Sequence, residues 1–142
     1  MLYEKYLKKK HPCPFCNLTK EEILKQNKCA ILTLAKAPYT KDHLLVVPKK
    51  HYLKFNAMTK AEKDCVDKLV SYALKKLHKK HKNITVLYRE GDLKQVGKSI
   101  PHLHYHIIPN MVIGAYDINW KKRKIYSEEK YIKEIKKLKK RL

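Results

Sequence analysis

Three histidines separated by single residues, His102, His104 and His106, stand in the most regular stretch of the sequence. Polar and apolar side chains alternate around them, and this alternation is typical of a β-strand with two different faces. Because successive side chains of a strand point to opposite faces, the three imidazoles are expected in a row on one face. The sequence therefore predicts a strand over Ile100–Ile108 that stops at Pro109.

A row of histidines at this place favours phosphate chemistry. Neighbouring imidazoles lower one another's affinity for a proton, so at least one stays neutral and nucleophilic near physiological pH. The turn before the row, Gly97-Lys98-Ser99, supplies an ammonium, a hydroxyl and free backbone N–H groups, and such donors bind phosphate oxygens. A lone histidine is usually structural, whereas three in register behind such a turn indicate a phosphate site.

The remaining elements predict an α+β fold with a mostly antiparallel sheet. Short β-prone runs cover Cys29–Leu34, Leu44–Val47 and Asn83–Tyr88, and the first two are expected to pair as antiparallel neighbours. The main helix is predicted over Thr59–His81, because a capping box opens it and apolar residues recur along one face.

Two weaker helical patterns lie on either side of these elements. A capping box formed by Thr19 and Glu22 predicts a short helical turn through Lys25, and Ser127 begins a final helix with a narrow apolar stripe. The length of 142 residues fits one domain, 1–142. Its core is expected over about residues 12–109, and residues 121–142 form a basic helical extension.

The chain is strongly basic. It has 34 Lys+Arg against 13 Asp+Glu, a formal net charge of +21, yet 44% of its residues are hydrophobic. This apolar content excludes wholesale disorder, while no apolar run approaches the roughly 20 residues of a membrane span or forms the core of a signal peptide. The composition predicts a soluble cytoplasmic protein with no membrane partner that attracts polyanions such as nucleic acid or nucleotide phosphates.

The four cysteines are too few for a disulfide-dense secreted scaffold. Cys13 and Cys16 form a Cys-x-x-Cys pair, which in a reducing compartment indicates metal binding or redox chemistry. A redox role is disfavoured because the pair lacks a βαβ context. Cys29 and Cys65 are expected to be ordinary buried thiols.

Residues His102–Ile108 resemble the His-φ-His-φ-His-φ-φ motif of the histidine triad (HIT) family, in which φ is apolar. Residues Pro38–His51, which end in a Pro-Lys-x-His pattern, resemble a second block of that family. With the Cys-x-x-Cys pair, the resemblance covers about residues 12–109. It implies a five-stranded antiparallel sheet with one main helix, a homodimer, and nucleotide hydrolysis or transfer.

The resemblance also implies a role for each matching residue. His104 would attack the α-phosphate and form a nucleotidyl-histidine intermediate that water resolves. His106 would hydrogen-bond a phosphoryl oxygen, Ser99 would contact the phosphate or the leaving group, and His43 would support the triad. Related transferases carry Gln at the third triad position, so His106 favours hydrolysis.

A structural zinc site follows from the same resemblance. Zinc-bearing members of the family complete their cysteine pair with two histidines, which correspond here to His51 and His102. The implied Zn²⁺ ligands are Cys13, Cys16, His51 and His102, and the ion would anchor the amino-terminal segment onto the sheet. His11 is an alternative ligand.

Three positions depart from the family pattern. Ala35 stands where nucleotide-binding members place an Asp or Asn that holds the ribose hydroxyls. Arg89 replaces an Asn that many members carry on the strand before the triad, and Lys98 replaces a Gln. The two additional cations suit a longer polyphosphate or a nucleic-acid end.

The leading interpretation is a zinc-stabilised hydrolase of nucleotide phosphoanhydrides or phosphoramidates, such as dinucleoside polyphosphates or adenylylated amines. Phosphorylase and nucleotidyltransferase variants of this reaction stay open. A nucleic-acid-binding module would instead use the basic tail, and an enzyme that removes adenylate from nucleic-acid ends would combine both properties. The tail is equally well explained as a solvated helix face.

Overall fold

A computed structural model describes residues 2, 5, 13–98, 100–114 and 123–141. The chain divides into two compact units, Met1–Met111 and Val112–Leu142. The strands of the first unit are β1 (Ile23–Gln26), β2 (Ala30–Leu34), β3 (Leu44–Pro48), β4 (Ile84–Tyr88) and β5 (Tyr105–Pro109). They form one sheet in the order β1-β2-β3-β5-β4, and every neighbouring pair is antiparallel. The predicted α+β class with a five-stranded antiparallel sheet is confirmed; a single domain over 1–142 stays a prediction.

The main helix, α1 (Lys60–Leu77), begins at the predicted capping box. The Glu62 N–H donates to the Thr59 hydroxyl oxygen over 3.2 Å, and the Thr59 N–H donates to the Glu62 carboxylate over 3.0 Å. The helix packs on β2, β3 and β5. Its buried apolar residues recur at helical spacing: Val66, Leu69, Ala73 and Leu77. A short α2 (Leu93–Val96) lies between β4 and β5.

Alternate residues of β3 are buried on opposite faces of the sheet. Leu44 and Val46 belong to the main core that α1 covers. Leu45 and Val47 belong to a second cluster, which Phe15 of the amino-terminal segment joins. Among the described residues of the first unit, the loop segment around Phe15 packs on this second face, which carries the candidate site.

The region after Thr19 differs from the predicted helical turn through Lys25. A 3₁₀ turn covers only Lys20–Glu22, and β1 follows directly. The Thr19 hydroxyl donates to the Glu22 carboxylate over 3.0 Å instead of accepting from the Glu22 N–H, and the Thr33 hydroxyl donates to the Glu22 carbonyl over 2.7 Å. Pairing with β2 therefore outweighs the local helical preference.

Cys29 and Cys65 form a disulfide, so the expectation of two buried free thiols is wrong. Both residues are half-buried. The turn after β1 lies on α1, where the Asn27 side-chain amide donates to the Cys65 carbonyl over 2.8 Å. This contact brings the two cysteines to a Cα–Cα distance of 5.7 Å, and the bridge ties the β1–β2 turn to α1.

The second unit contains α3 (Glu128–Arg141), and none of the helix's residues is buried. The Ser127 hydroxyl oxygen accepts from the Lys130 N–H over 3.3 Å, in agreement with the predicted start. Two ion pairs, Glu129–Lys133 and Glu134–Lys137, lie along its surface. Across the described residues, no helix combines the length and apolar character required to cross a membrane.

Candidate active site and metal centre

The last strand begins at Tyr105, later than the predicted start at Ile100. The residues before it bond outside the sheet: the Leu103 N–H donates to the Tyr52 carbonyl over 2.7 Å, and the His102 N–H donates to the Ile100 carbonyl over 2.9 Å. The expected alternation persists nevertheless. Leu103 is buried in the main core, and the histidines on either side of it face the second surface of the sheet.

His104 is buried and its ring is fixed by one backbone contact. Its Nδ1 atom lies 2.7 Å from the His102 carbonyl oxygen, and because a carbonyl only accepts, Nδ1 must carry the proton. The other nitrogen, Nε2, therefore holds a lone pair. Burial lowers the pKa of His104, and the nearby cations Lys98 and Arg89 lower it further, so the ring is neutral at physiological pH.

A hydrogen-bond relay orients His106. The Tyr39 N–H donates to His43 Nδ1 over 3.1 Å, and His43 Nε2 lies 2.9 Å from His106 Nδ1. Because His43 Nδ1 accepts, its Nε2 carries the proton and donates to His106. The proton of neutral His106 is then on Nε2, where it can donate to a ligand.

Both relay histidines stay neutral over a wide pH range. Burial lowers the pKa of His43 to about 4, and the charges of His104 and Arg89 act in the same direction. Burial likewise lowers the pKa of His106 to about 3, aided by its histidine neighbours. The tautomers described above are therefore the forms present near neutral pH.

His104 and His106 line a surface pocket together with Phe15 and Tyr39. Lys98, predicted to bind phosphate, lines the same pocket. Ala35 lines it as well and places an apolar side chain at the position that the family resemblance assigns to a ribose ligand. Ser99, the other predicted phosphate ligand, lies outside the described residues.

Four further side chains meet at one point beside the pocket: Cys13, Cys16, His51 and His102. Their ligand atoms all lie within 4.8 Å of one another. Cys16 Sγ is 3.3 Å from His51 Nδ1, Cys13 Sγ is 3.3 Å from His102 Nδ1, and the two Nδ1 atoms are 3.1 Å apart. A tetrahedral zinc site has ligand–ligand edges of about 3.3–3.8 Å, so this cluster can hold a metal ion. The alternative ligand His11 lies outside the described residues.

The donor chemistry of the cluster also suits a cation. His102 Nε2 lies 2.9 Å from the Pro48 carbonyl oxygen and must donate to it, which leaves the Nδ1 lone pair directed at the cysteines. Burial lowers the pKa of His102, so the ring is neutral as a ligand must be. Burial and the neighbouring Cys13 raise the pKa of Cys16, so the thiolate form of Cys16 is disfavoured without a ligand. A bound cation would stabilise the thiolates.

Two residues of the site were not singled out in the sequence. The Phe15 ring lies 5.0 Å from that of His104, and the Tyr39 ring stacks on that of His106 at 6.0 Å with an interplanar angle of 6°. Phe15 could have been identified from its place between two candidate metal ligands. Tyr39 acts through its backbone N–H as well as its ring, and no sequence pattern marks that contact.

The antiparallel α+β fold and the row of neutral imidazoles together define a protein of the histidine triad class. The family model of the HIT domain matches residues 17–112. The chain is 32% identical over 103 residues to the adenosine 5′-monophosphoramidase of Schizosaccharomyces pombe, covering 68% of this chain and 73% of the relative. It is 30% identical over 126 residues to an uncharacterized HIT-like protein of Mycoplasma genitalium, covering 84% and 89%.

A solved structure supports the same assignment at the level of the fold. The histidine triad nucleotide-binding protein from Candida albicans superimposes with a TM-score of 0.73 and 21% identity, covering 92% of this chain and 96% of that chain. The chain belongs to the HIT family, whose members bind nucleotides and include hydrolases and transferases.

Proposed function

We propose that the protein hydrolyses a phosphoanhydride or phosphoramidate bond at the α-phosphate of a nucleotide, with His104 as the nucleophile. The observation that carries this proposal is the 2.7 Å contact between His104 Nδ1 and the His102 carbonyl. It fixes the proton on one ring nitrogen and leaves a lone pair on the other, in a buried ring that lines the pocket. A neutral imidazole held in this way is a nucleophile that needs no further deprotonation.

The reaction proceeds in two displacements. His104 Nε2 attacks the α-phosphorus, and the bond from phosphorus to the bridging atom breaks with its electron pair leaving on the departing group. Water then attacks the same phosphorus and releases one proton to solvent, while the nitrogen–phosphorus bond breaks and its electron pair returns to Nε2. The products are the leaving group and a nucleoside monophosphate, and the imidazole is restored.

His106 and His43 stabilise both displacements. The His106 Nε2–H donates to a phosphoryl oxygen as negative charge develops there. His43 keeps that proton in place through its 2.9 Å contact with His106 Nδ1, so no reorganisation is needed during the reaction. The S. pombe relative, named as an adenosine 5′-monophosphoramidase, supports a nucleotide substrate with a cleavable α-phosphoryl bond.

We further propose that the Cys13, Cys16, His51 and His102 cluster binds zinc with a structural role. A bound ion would fix the amino-terminal segment, including Phe15, against the triad. Contact of Ser99 with the phosphate or leaving group and a homodimer stay predictions of the resemblance, and a cytoplasmic location stays a prediction of the composition. Binding of nucleic acid through the basic tail also stays a prediction.

Mass spectrometry of the intact protein after incubation with nucleotide anhydrides and phosphoramidates tests the nucleophile. A nucleotidyl adduct that maps to His104 is expected.

His104→Ala should remove turnover while keeping nucleotide binding and metal content, and His78→Ala, at the end of α1, is the matched control. His106→Ala should be milder, because loss of one donor to a phosphoryl oxygen costs roughly 3 kcal/mol. An adduct on another residue, or turnover of His104→Ala within about tenfold of the parent, would show that the assignment is wrong.

A further inference from the structure

Lys98 is a buried cation beside the nucleophile. Only 9% of the residue is exposed, and its Nζ donates to the Leu53 carbonyl at 3.5 Å, the limit of a hydrogen bond. Within the described residues no carboxylate lies at ion-pair distance from it. An ammonium group without a counter-ion attracts anions. Lys98 lines the His104 pocket as well as a second pocket beside Leu53, so an anion bound in the His104 pocket would provide the missing charge.

Arg89 lines the same pocket and is likewise without a carboxylate partner among the residues that the structure describes. Its Nη1 donates to the Tyr39 hydroxyl over 3.4 Å. Its Nε atom lies beside Gly97, 3.7 Å from where a Cβ at that position would stand. Gly97 has a φ of +74°, a conformation that favours glycine, and it leads directly into Lys98. Arg89 and Lys98 therefore both adjoin the Gly97 turn.

The described side chains of the pocket carry more positive than negative charge. In the described part of its lining, the acidic side chain is that of Glu22, whose carboxylate lies 3.4 Å from Lys36 Nζ. Glu22 is thus already engaged by a different lysine. Lys98 and Arg89 therefore provide positive charge that no described group of the pocket offsets.

We infer that Lys98 and Arg89 form an anion subsite next to His104 that binds the phosphoryl groups of the leaving group. The inference rests on the proposed hydrolase function and names its substrate class: nucleotides whose α-phosphate is joined to a further phosphate, such as dinucleoside polyphosphates. Arg89 is suited to this role because its planar guanidinium can donate two parallel hydrogen bonds to phosphate oxygens.

The chemistry of the leaving group explains the preference. When His104 displaces a polyphosphate, the electron pair of the breaking P–O bond goes to the bridging oxygen, and negative charge grows on that group. Two fixed cations stabilise this charge most in the transition state. An amine leaves from a phosphoramidate with a proton added to its nitrogen and gains no negative charge, so the same cations give it little assistance.

The test compares two substrates that share the adenylyl group. Diadenosine triphosphate releases ADP, whereas adenosine 5′-phosphoramidate releases ammonia. Arg89→Gln and Lys98→Gln should each lower kcat/KM for diadenosine triphosphate by about 100-fold and change that for the phosphoramidate by less than about threefold. Lys94→Gln removes a positive charge from an exposed residue of α2 and should leave both values unchanged. Arg89→Lys, which keeps the charge, should recover part of the loss.

A measurement on the unsubstituted protein keeps the inference testable if a variant does not fold. Inorganic tripolyphosphate should bind in calorimetry, compete with the nucleotide substrate, and bind more weakly to Arg89→Gln. Equal losses for both substrates in the variants, or no tripolyphosphate binding, would overturn the subsite. If neither substrate is turned over but tripolyphosphate binds in an Arg89-dependent way, the hydrolase proposal fails and the subsite stands.

Discussion

The His81 imidazole hydrogen-bonds the Asp42 carboxylate over 2.7 Å and so ties the region after α1 to the residue immediately before His43. The Asn110 side-chain amide lies 3.0 Å from His81 Nδ1, which places the imidazole proton on Nε2, toward Asp42. Asp42 has a φ of +66°, in the left-handed region that aspartate tolerates better than most residues. The contact therefore holds the turn from which His43 reaches His106.

This contact predicts an acid-dependent part of the stability. The hydrogen bond from His81 lowers the pKa of Asp42 below its unfolded value, so the contribution is present above the unfolded pKa and is lost as pH falls through the folded pKa. Asp42→Asn, which keeps the size of the side chain, should melt at a lower temperature than the parent at pH 7. The difference should shrink below about pH 4. Thermal melts from pH 7 to 2 measure this, with exposed Asp67→Asn as the control; a difference that does not vary with pH would contradict the prediction.

Activity should persist to unusually low pH for a histidine-dependent reaction. Burial lowers the pKa of His106 to about 3 and that of His43 to about 4, and it also lowers the pKa of His104. The neutral imidazoles are the reactive forms, so the acid limb of kcat/KM should lie below the ordinary histidine value of about 6.5. A pH–rate profile with an acid limb centred near 6.5 would show that at least one of these three imidazoles has an ordinary pKa in the free enzyme.

Removing the relay donor should affect the rate more than binding. In His43→Ala the donor to His106 Nδ1 is lost, and His106 is free to place its proton on the wrong nitrogen. We expect kcat to fall by about 100-fold with a small change in KM. A rise in KM of similar size with an unchanged kcat would indicate that His43 only shapes the pocket.

The sequence predicted those strands and helices in which buried residues recur at a regular spacing. The alternation around His104 and the helical spacing of Val66, Leu69 and Ala73 both report a face packed in the core. The edge strand β1 was missed, because its four residues, mostly exposed, carry no alternation and its pairing with β2 is non-local. Phe15 and Tyr39 enter the site through tertiary contacts that leave no periodic trace.

Metal removal should destabilise the fold. One zinc ion per chain is expected, and because the site does not exist in the unfolded chain, its binding energy of several kcal/mol adds to the folding energy. Cys16→Ser should release the metal and lower the melting temperature together, since it removes a ligand 3.3 Å from His51 Nδ1. Elemental analysis and melting with and without a chelator measure both effects. Protein that is purified without metal and melts identically in chelator would contradict the site.

The Cys29–Cys65 bridge should stabilise the folded chain in non-reducing buffer. It joins residues 36 positions apart, and closing a loop of that length in the unfolded chain is worth at most about 4 kcal/mol, with about 2–4 kcal/mol expected in practice. Cys65→Ser should therefore lower the free energy of unfolding by that amount in denaturant titrations without reductant. A phosphine reductant should lower the free energy of unfolding of the parent protein to that of the variant and leave that of the variant unchanged. Turnover well below the melting temperature should be equal in both proteins, because the bridge lies at α1, on the face of the sheet opposite the triad pocket. Equal stability of parent and variant without reductant would show that the bridge does not form in solution.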